Sequence, residues 1–465
     1  MRTEDRPTLL LITAPPPTPN GPLHVGHLSG PYVAADVAAR AARARGTQVL
    51  TLSGLDTHQN YVLTKAAALA LPVEDAMRGY ARSIRETFQL AHIDYDVFLD
   101  PADDAEYRGA VADLMAELVD RGAVALRDTI LLVCRDCGRT LHHGYVSGAC
   151  QVCGQTSGGG TCEGCGSFTT AGSLGAPRCS CCGGEPRTTR MTVPLLRLEE
   201  HRQRLVEVWA GAELPPRLRR LLRRYLDEGL PDVPLAYPTD WGIELRDPIP
   251  SGQRADVWAE MGVGYLYAVA RALDPSARGV ERCAAAWNEV GGMWHFFGID
   301  NAFYYAVLFP AIFAAAGVPS HVLSGVIMNE FYRLDGLKFS TSRNHAVWAQ
   351  DLLSEEDAGI VRLYLCYDRP DSYESDFTYE GFHTFRDHVL RRRREGGRAE
   401  SVALDRLDLV RAGQALRLQH FDPALAVRCL LPSVADDSDD ARALLSALTG
   451  GDAVPSRARG TGAGT

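Results

Sequence analysis

The sequence predicts a doubly wound α/β domain interrupted by a small cysteine-rich module. Three observations carry that expectation. A buried-strand run at 8–14 (TLLLITA) passes through a Pro-rich turn into an Ala-rich helical stretch at 28–45, and a second strand-like run follows at 47–54. Strand, helix and strand in that order call for a parallel pair joined by a right-handed crossover. The rhythm breaks at 122–190 and resumes at about 255–335. Within the break lie nine of the twelve cysteines.

The remaining elements follow in order. Residues 59–71, 74–91 and 104–121 carry helical patterns, with a strand-like run (DYDVFL) at 94–99, which completes the first half of the α/β domain. Helical texture returns at 196–228, and the arginines of RLRRLLRR (217–224) read first as one solvated helical face and second as an RNA-facing patch. The run at 302–318 (AFYYAVLFPAIFAAAGV) contains Pro310 and falls short of the roughly 20 residues of a membrane span, so it reads as a buried helix. A strand (HVLSGVIM, 321–328) ends in a turn, RLDGLKFSTSRNH, with Lys338 on a Gly-containing loop. Short helices and turns are expected over 349–390, a linker or solvated charge run at 391–398, and disorder in the tail beyond Thr449.

Composition narrows the class. With 465 residues, 46% apolar and 23% charged, the chain is long enough for several buried cores and is not a disordered polymer. Its start, MRTEDRPT, lacks the basic and long apolar segments of a secretory signal, so a cytoplasmic protein without a membrane partner is expected. The net charge of −10 confines any polyanion site to a local patch. Only two of the 48 basic residues are lysines, Lys65 and Lys338. A lysine kept against so strong an arginine bias suggests a need for a compact point charge.

Four Cys-x-x-Cys pairs, Cys134/Cys137, Cys150/Cys153, Cys162/Cys165 and Cys179/Cys182, are separated by 12, 8 and 13 residues. Disulfides do not persist in the cytoplasm. The spacing reads as zinc knuckles, eight thiolates for two structural Zn2+ ions, with redox thiols or a decayed knuckle as the alternative. The intervening Gly- and Ser-rich chain has little else to fold with. His142 and His143 lie between the first two pairs as alternative ligands, but four complete pairs leave them no place.

Two segments carry candidate chemistry. His24-Val-Gly-His27 follows the first strand and opens a helix, where free amides and two imidazoles can meet phosphate and Gly26 permits close approach. Lys338-Phe-Ser340-Thr-Ser342 lies after the last strand, and a lysine flanked by hydroxyls suits the pyrophosphate of ATP. Each is weak alone.

Together, around a cysteine insertion, they resemble the class I aminoacyl-tRNA synthetases, and among these the methionyl-tRNA synthetases, over roughly 8–390. APPPTPNGPLHVGH resembles the first family signature and KFSTS the second; VWAEMGVGY (257–265) and HFFGID (295–300) resemble active-site stretches. The resemblance implies a Rossmann-like catalytic domain split as 1–121 and 237–336, a connective insertion at 122–236, a signature-loop and stem-contact region at 337–395 and a short helical remnant at 396–465. It implies one zinc on the inner cysteines (150, 153, 162, 165) and one on the outer (134, 137, 179, 182). It assigns His24, Gly26, His27, Asp300, Lys338, Ser340 and Ser342 to Mg2+-ATP, with His24, His27 and Lys338 as the catalytic groups. Asp56 would take the substrate α-amino group, as a carboxylate suits an ammonium. Ala14, Trp258, Met261, Tyr265, Asn301 and Tyr305 would line the amino-acid pocket. The implied activity is formation of an aminoacyl-adenylate and its transfer to the tRNA acceptor end, by a protein expected to be a monomer.

The sequence also departs from the family pattern. Thr341 stands where a second signature lysine is common, and Pro15–Pro17 replace Leu-Pro-Tyr. Met261-Gly262 replaces Ala-Pro, Asn301 an apolar residue, and Tyr305 a histidine. VPLAY (233–237) stands where the family has Trp-x-Ile-Ser-Arg, and the stretch after the basic run is short for an anticodon-reading bundle. An amide ligase acting on a non-tRNA amine, with a substrate other than methionine, is therefore the competing expectation. A non-catalytic paralogue is the third.

Overall fold

A computed structural model describes residues 8–339, 345–395, 406–433 and 438–451. The apolar run at the start forms strand β1 (Leu9–Thr13), followed by β2 (Val49–Gly54) and β3 (Val97–Leu99). The cysteine module is framed by two long strands, β4 (Ala125–Cys134) and β5 (Pro186–Arg197), and the sheet is completed by β6 (Val290–Gly298) and β7 (Leu323–Asn329). The sheet order is β7-β6-β1-β2-β3. β1 pairs parallel to β6 and β2 parallel to β3. The chain therefore enters mid-sheet, builds outward to β3, and returns on the other side of β1. The switch point is between β1 and β6, where ligands of doubly wound sheets bind.

The chain divides into two compact units. One comprises Met1–Gly21, Leu50–Arg82 and Tyr95–Ile327; the other comprises Pro22–Val49, Ser83–Asp94 and Met328–Thr465. In the first unit, β4 and β5 form an antiparallel ribbon in register from Ala125↔Leu195 to Cys134↔Pro186. Sequence reasoning missed this ribbon, because much of it is exposed on both faces and shows little alternation. The expected buried helix at 302–318 is present as a π-turn, Tyr304–Leu308, running into Phe309–Ala316.

In the second unit the expected turn before Lys338 is the tip of a short hairpin. Tyr332–Leu334 pairs with Leu337–Lys338 across Asp335-Gly336, both at positive φ (50° and 78°). Asp-Gly is the residue pair that such a two-residue turn selects. The expected linker at 391–398 is also revised: residues 391–395 continue the helix Tyr379–Glu395, whose arginines suit its C-terminal dipole. Residues 396–398 and the tail from 452 lie outside the described residues. Three short helices, Arg406–Ala415, Pro423–Leu430 and Asp439–Thr449, follow. The last is held by fully buried Arg362, which pairs with Asp36 at 2.6 Å and donates to the Leu448 carbonyl at 2.9 Å.

Candidate active site

In the second unit, the turn Val25–His27 begins the helical run that continues to Ala44. The His24 amide donates to His27 Nδ1 at 3.1 Å, so a neutral His27 carries its proton on Nε2 and can donate from there. The two rings stack at 3.7 Å, and Phe339 stacks on His24 at 4.6 Å. Gly26 is required by this stack: a Cβ would meet the His24 ring at 3.0 Å and Phe339 at 3.2 Å. Burial drives the His24 pKa well down, and the adjacent His27 lowers it further. Burial also brings His27 down to about 4. Both imidazoles are thus neutral donors at physiological pH. Lys338 Nζ lies over the Phe331 ring, 4.2 Å from its centre. Ser340, Thr341 and Ser342 fall outside the described residues.

In the first unit, residues from five separated segments meet near the switch point. Asp56 follows β2; its amide donates to the Pro17 carbonyl at 3.0 Å, and its Oδ2 accepts from the Thr18 hydroxyl at 2.9 Å. Its Oδ1 is buried with no hydrogen-bond partner among the described residues. Burial pushes the carboxyl up to about 7, against the lowering effect of Thr18. Nearby, His58 Nδ1 meets Glu260 at 2.8 Å. Burial lowers the His58 pKa, but the Glu260 carboxylate outweighs it and the net shift is upward. That pair satisfies the Glu260 carboxylate, while Asp56 Oδ1 stays without a hydrogen-bond partner among the described residues.

The helix Val257–Leu273 carries Trp258, Met261 and Tyr265. Tyr265 donates to the Ala14 carbonyl at 3.3 Å and lies 3.2 Å from the Tyr305 hydroxyl, which donates to Met261 Sδ at 3.5 Å. Trp258 stacks on Tyr304 at 3.6 Å and 6°. Asp300 and Asn301 sit half-buried in the turn after β6, 3.4 Å apart through Asn301 Nδ2 and Asp300 Oδ1. Sequence reasoning singled out these residues but missed His58, Glu260, Thr18 and His295. His295 is fully buried, 2.5 Å from Thr13 Oγ1 and 5.0 Å from Tyr305 between ring centres. Its sequence signal was the HFFGID stretch; the Thr18 and Glu260 contacts span 38 and 202 residues and leave no local trace.

The cysteines form two tetrads, Cys134/Cys137/Cys179/Cys182 and Cys150/Cys153/Cys162/Cys165, with the Sγ atoms of each within 4.8 Å of one another. Cross-pair Sγ separations are 3.4 and 3.7 Å in the outer tetrad and 3.8 and 3.6 Å in the inner. A tetrahedron of ~2.3 Å Zn–S bonds has edges of about 3.8 Å, so both sets fit the ion. Every pair is followed by glycine at positive φ: Gly138, Gly154, Gly166 and Gly183, at 72–75°. Each glycine amide closes the turn onto the carbonyl of its pair's first cysteine. Cys-x-x-Cys-Gly, repeated four times, was a legible signal of that turn. His142 and His143 are outside both tetrads; they are buried against Tyr237 and Asp256.

The family model of the class I tRNA synthetases (M) matches residues 10–391. The chain belongs to this family. Among curated synthetases, the methionine–tRNA ligase of Thermomicrobium roseum is 32% identical over 371 residues, 79% of this chain and 63% of that protein. That of Methanobrevibacter smithii is 30% identical over 387 residues, 80% of this chain and 56% of that protein. The chain thus spans a little over half the length of these synthetases. The solved structure of Mycobacterium tuberculosis methionyl-tRNA synthetase in complex with methionyl-adenylate shares the fold, with a TM-score of 0.66 at 18% identity over 95% of this chain and 88% of that one. No helix among the described residues is long and apolar enough to cross a membrane.

Proposed function

We propose that this synthetase activates an amino acid with ATP and transfers it to the acceptor end of a tRNA, with methionine as the first candidate substrate. The observation that carries the reading is Asp56 Oδ1, a buried carboxylate oxygen without a partner among the described residues, at the switch point of a class I synthetase fold. An α-ammonium is the group that such an oxygen binds. In the proposed step, a carboxylate oxygen of the amino acid attacks the α-phosphorus of ATP. The bond from that phosphorus to the bridging oxygen breaks, and pyrophosphate leaves with the electron pair. His24 and His27 donate to the α-phosphate oxygens from neutral rings, and Lys338 holds the departing phosphates. Magnesium accompanies ATP and offsets its charge; zinc holds the connective module.

A second reading changes the substrate. The Tyr305 hydroxyl and the Asn301 amide make the proposed pocket more polar than an apolar side chain needs, which favours a different amino acid and a non-tRNA amine acceptor. Amino-acid-dependent ATP–pyrophosphate exchange, run over all twenty amino acids, tests both. Exchange with methionine, followed by label transfer to total tRNA, supports the first reading. Exchange with another amino acid and no transfer to tRNA favours the second. No exchange with any of the twenty removes methionine as the substrate in the absence of an acceptor, and exchange repeated with tRNA and with non-standard amino acids then separates an acceptor requirement or an unusual substrate from a non-catalytic paralogue.

A further inference from the structure

A buried pair links the connective module to the first turn of the helix that carries the proposed amino-acid pocket. His143, on the turn His143–Tyr145 between the first two cysteine pairs, lies 2.5 Å through Nε2 from Asp256 Oδ2. Its Nδ1 lies 3.0 Å from the carbonyl of Gly159, between the inner cysteine pairs. Burial disfavours the charge on His143, but Asp256 outweighs it and raises the pKa; the Asp256 pKa is correspondingly lowered against its own burial. With both ring nitrogens facing acceptors, His143 is a doubly donating imidazolium. Asp256 has a second task. Its Oδ1 caps the pocket helix, accepting from the Trp258 amide at 3.0 Å and the Ala259 amide at 3.2 Å. One carboxylate therefore holds the module with one oxygen and the start of the pocket helix with the other.

The surroundings leave this joint little freedom. Asn60, four residues after Asp56, donates to the His142 carbonyl at 2.9 Å and accepts from the Gly144 amide at 2.8 Å. A Cβ at Gly160 would meet the Tyr304 hydroxyl at 2.5 Å and His143 Nδ1 at 2.9 Å. Tyr304 is the ring on which Trp258 stacks. Backbone and ring of Trp258 are thus both referred to the same few residues of the module.

We propose that His143 and Asp256 are positioning residues for the amino-acid pocket, a buried pair that sets the place of Trp258 by tying the connective module to the first turn of its helix. The proposal rests on the reading of Trp258, Met261 and Tyr265 as pocket walls.

The test compares His143→Ala, which leaves the helix cap in place but breaks the joint, with Asp256→Asn. An Asn amide can still cap the helix and hydrogen-bond a neutral imidazole. His143→Ala should raise the amino-acid KM in pyrophosphate exchange about tenfold, as displaced binding groups do, and leave the ATP KM unchanged. Asp256→Asn should stay within about threefold of the parent, since a neutral hydrogen bond replaces the ion pair. Both should retain two zinc ions per chain. An unchanged amino-acid KM in His143→Ala, or a rise of both KM values together, overturns the proposal. Where His143→Ala does not fold, His143→Gln takes its place with the same expected split. If the parent protein activates no amino acid, the site reading fails and hydrogen exchange decides the joint. Faster exchange at Trp258 and Ala259, with the rest of the helix unchanged, supports it, and unchanged exchange there overturns it.

Discussion

The proposed amino-acid residues of the first unit and the proposed phosphate residues of the second are each assembled in their own way. Asp56, Ala14, Tyr265 and Tyr305 come from segments up to 291 residues apart (305 − 14) and are buried. They are connected by hydrogen bonds, Tyr265 to the Ala14 carbonyl and Asp56 to Thr18. The phosphate side uses a four-residue motif and a hairpin, its histidines half-buried and held by ring stacking. In the proposed reading the first set would recognise an ammonium through a buried carboxylate oxygen that has no hydrogen-bond partner among the described residues. The second presents neutral donors that cost little to bury and that do not repel the cationic Lys338. In the proposed reading, such a division would let one set select a substrate and the other stabilise charge that appears only in the transition state.

That contrast can be broken by experiment. The largest effect is expected on the phosphate side: Lys338→Ala should lower the exchange rate by about a thousandfold, as loss of a transition-state charge donor does, with the fold intact by circular dichroism. Activity near that of the parent would remove Lys338 from the reaction. On the amino-acid side, Asp56→Asn should raise the amino-acid KM by roughly 10- to 100-fold, the worth of a charge-assisted bond, and leave the ATP KM alone. A change confined to kcat would erase the distinction between the two sides.

Acidity separates them next. Burial holds Asp56 near 7 and His27 near 4. Only the carboxylate form of Asp56 binds an ammonium, so amino-acid affinity should fall by about tenfold per pH unit below 7 and level off above it. Neutral His27 should make ATP binding flat from pH 6 to 8. A parallel fall for both substrates in a pH series would show that Asp56 is not the titrating group. Metal analysis bears on the module alone. We expect two zinc per chain, and removal by chelator should speed amide exchange in the β4–β5 ribbon while the core of the second unit stays protected. A zinc content near zero after purification without chelator would eliminate the knuckles. The smallest effect is expected from Thr341→Lys, a gain of up to about tenfold in exchange rate if the added cation reaches the phosphates.

Local patterns were readable wherever the physics is local. Four apolar residues and a threonine before a Pro-rich turn become β1, and the histidines three apart stack on one face. Cys-x-x-Cys spacing gives two tetrads because the turn and the thiolate chemistry are both written within five residues. The Asp335-Gly336 turn is equally local, since Asp-Gly itself selects a two-residue hairpin turn. The β4–β5 ribbon was not legible, because strands without a single dry face lack the alternation by which a strand is recognised.

By itself the sequence determined the α/β order, the cysteine module, both signatures and the residues that resemblance assigns to the pocket. Only the tertiary structure decided their electrostatic state. That Asp56 keeps one oxygen without a partner among the described residues follows from burial and from the pairing of Glu260 with His58, 202 residues away along the chain. That His143 serves Asp256 and no metal depends on a contact across 113 residues. Protonation and pairing are set by which charges share a low-dielectric space, and the chain order does not state which these are.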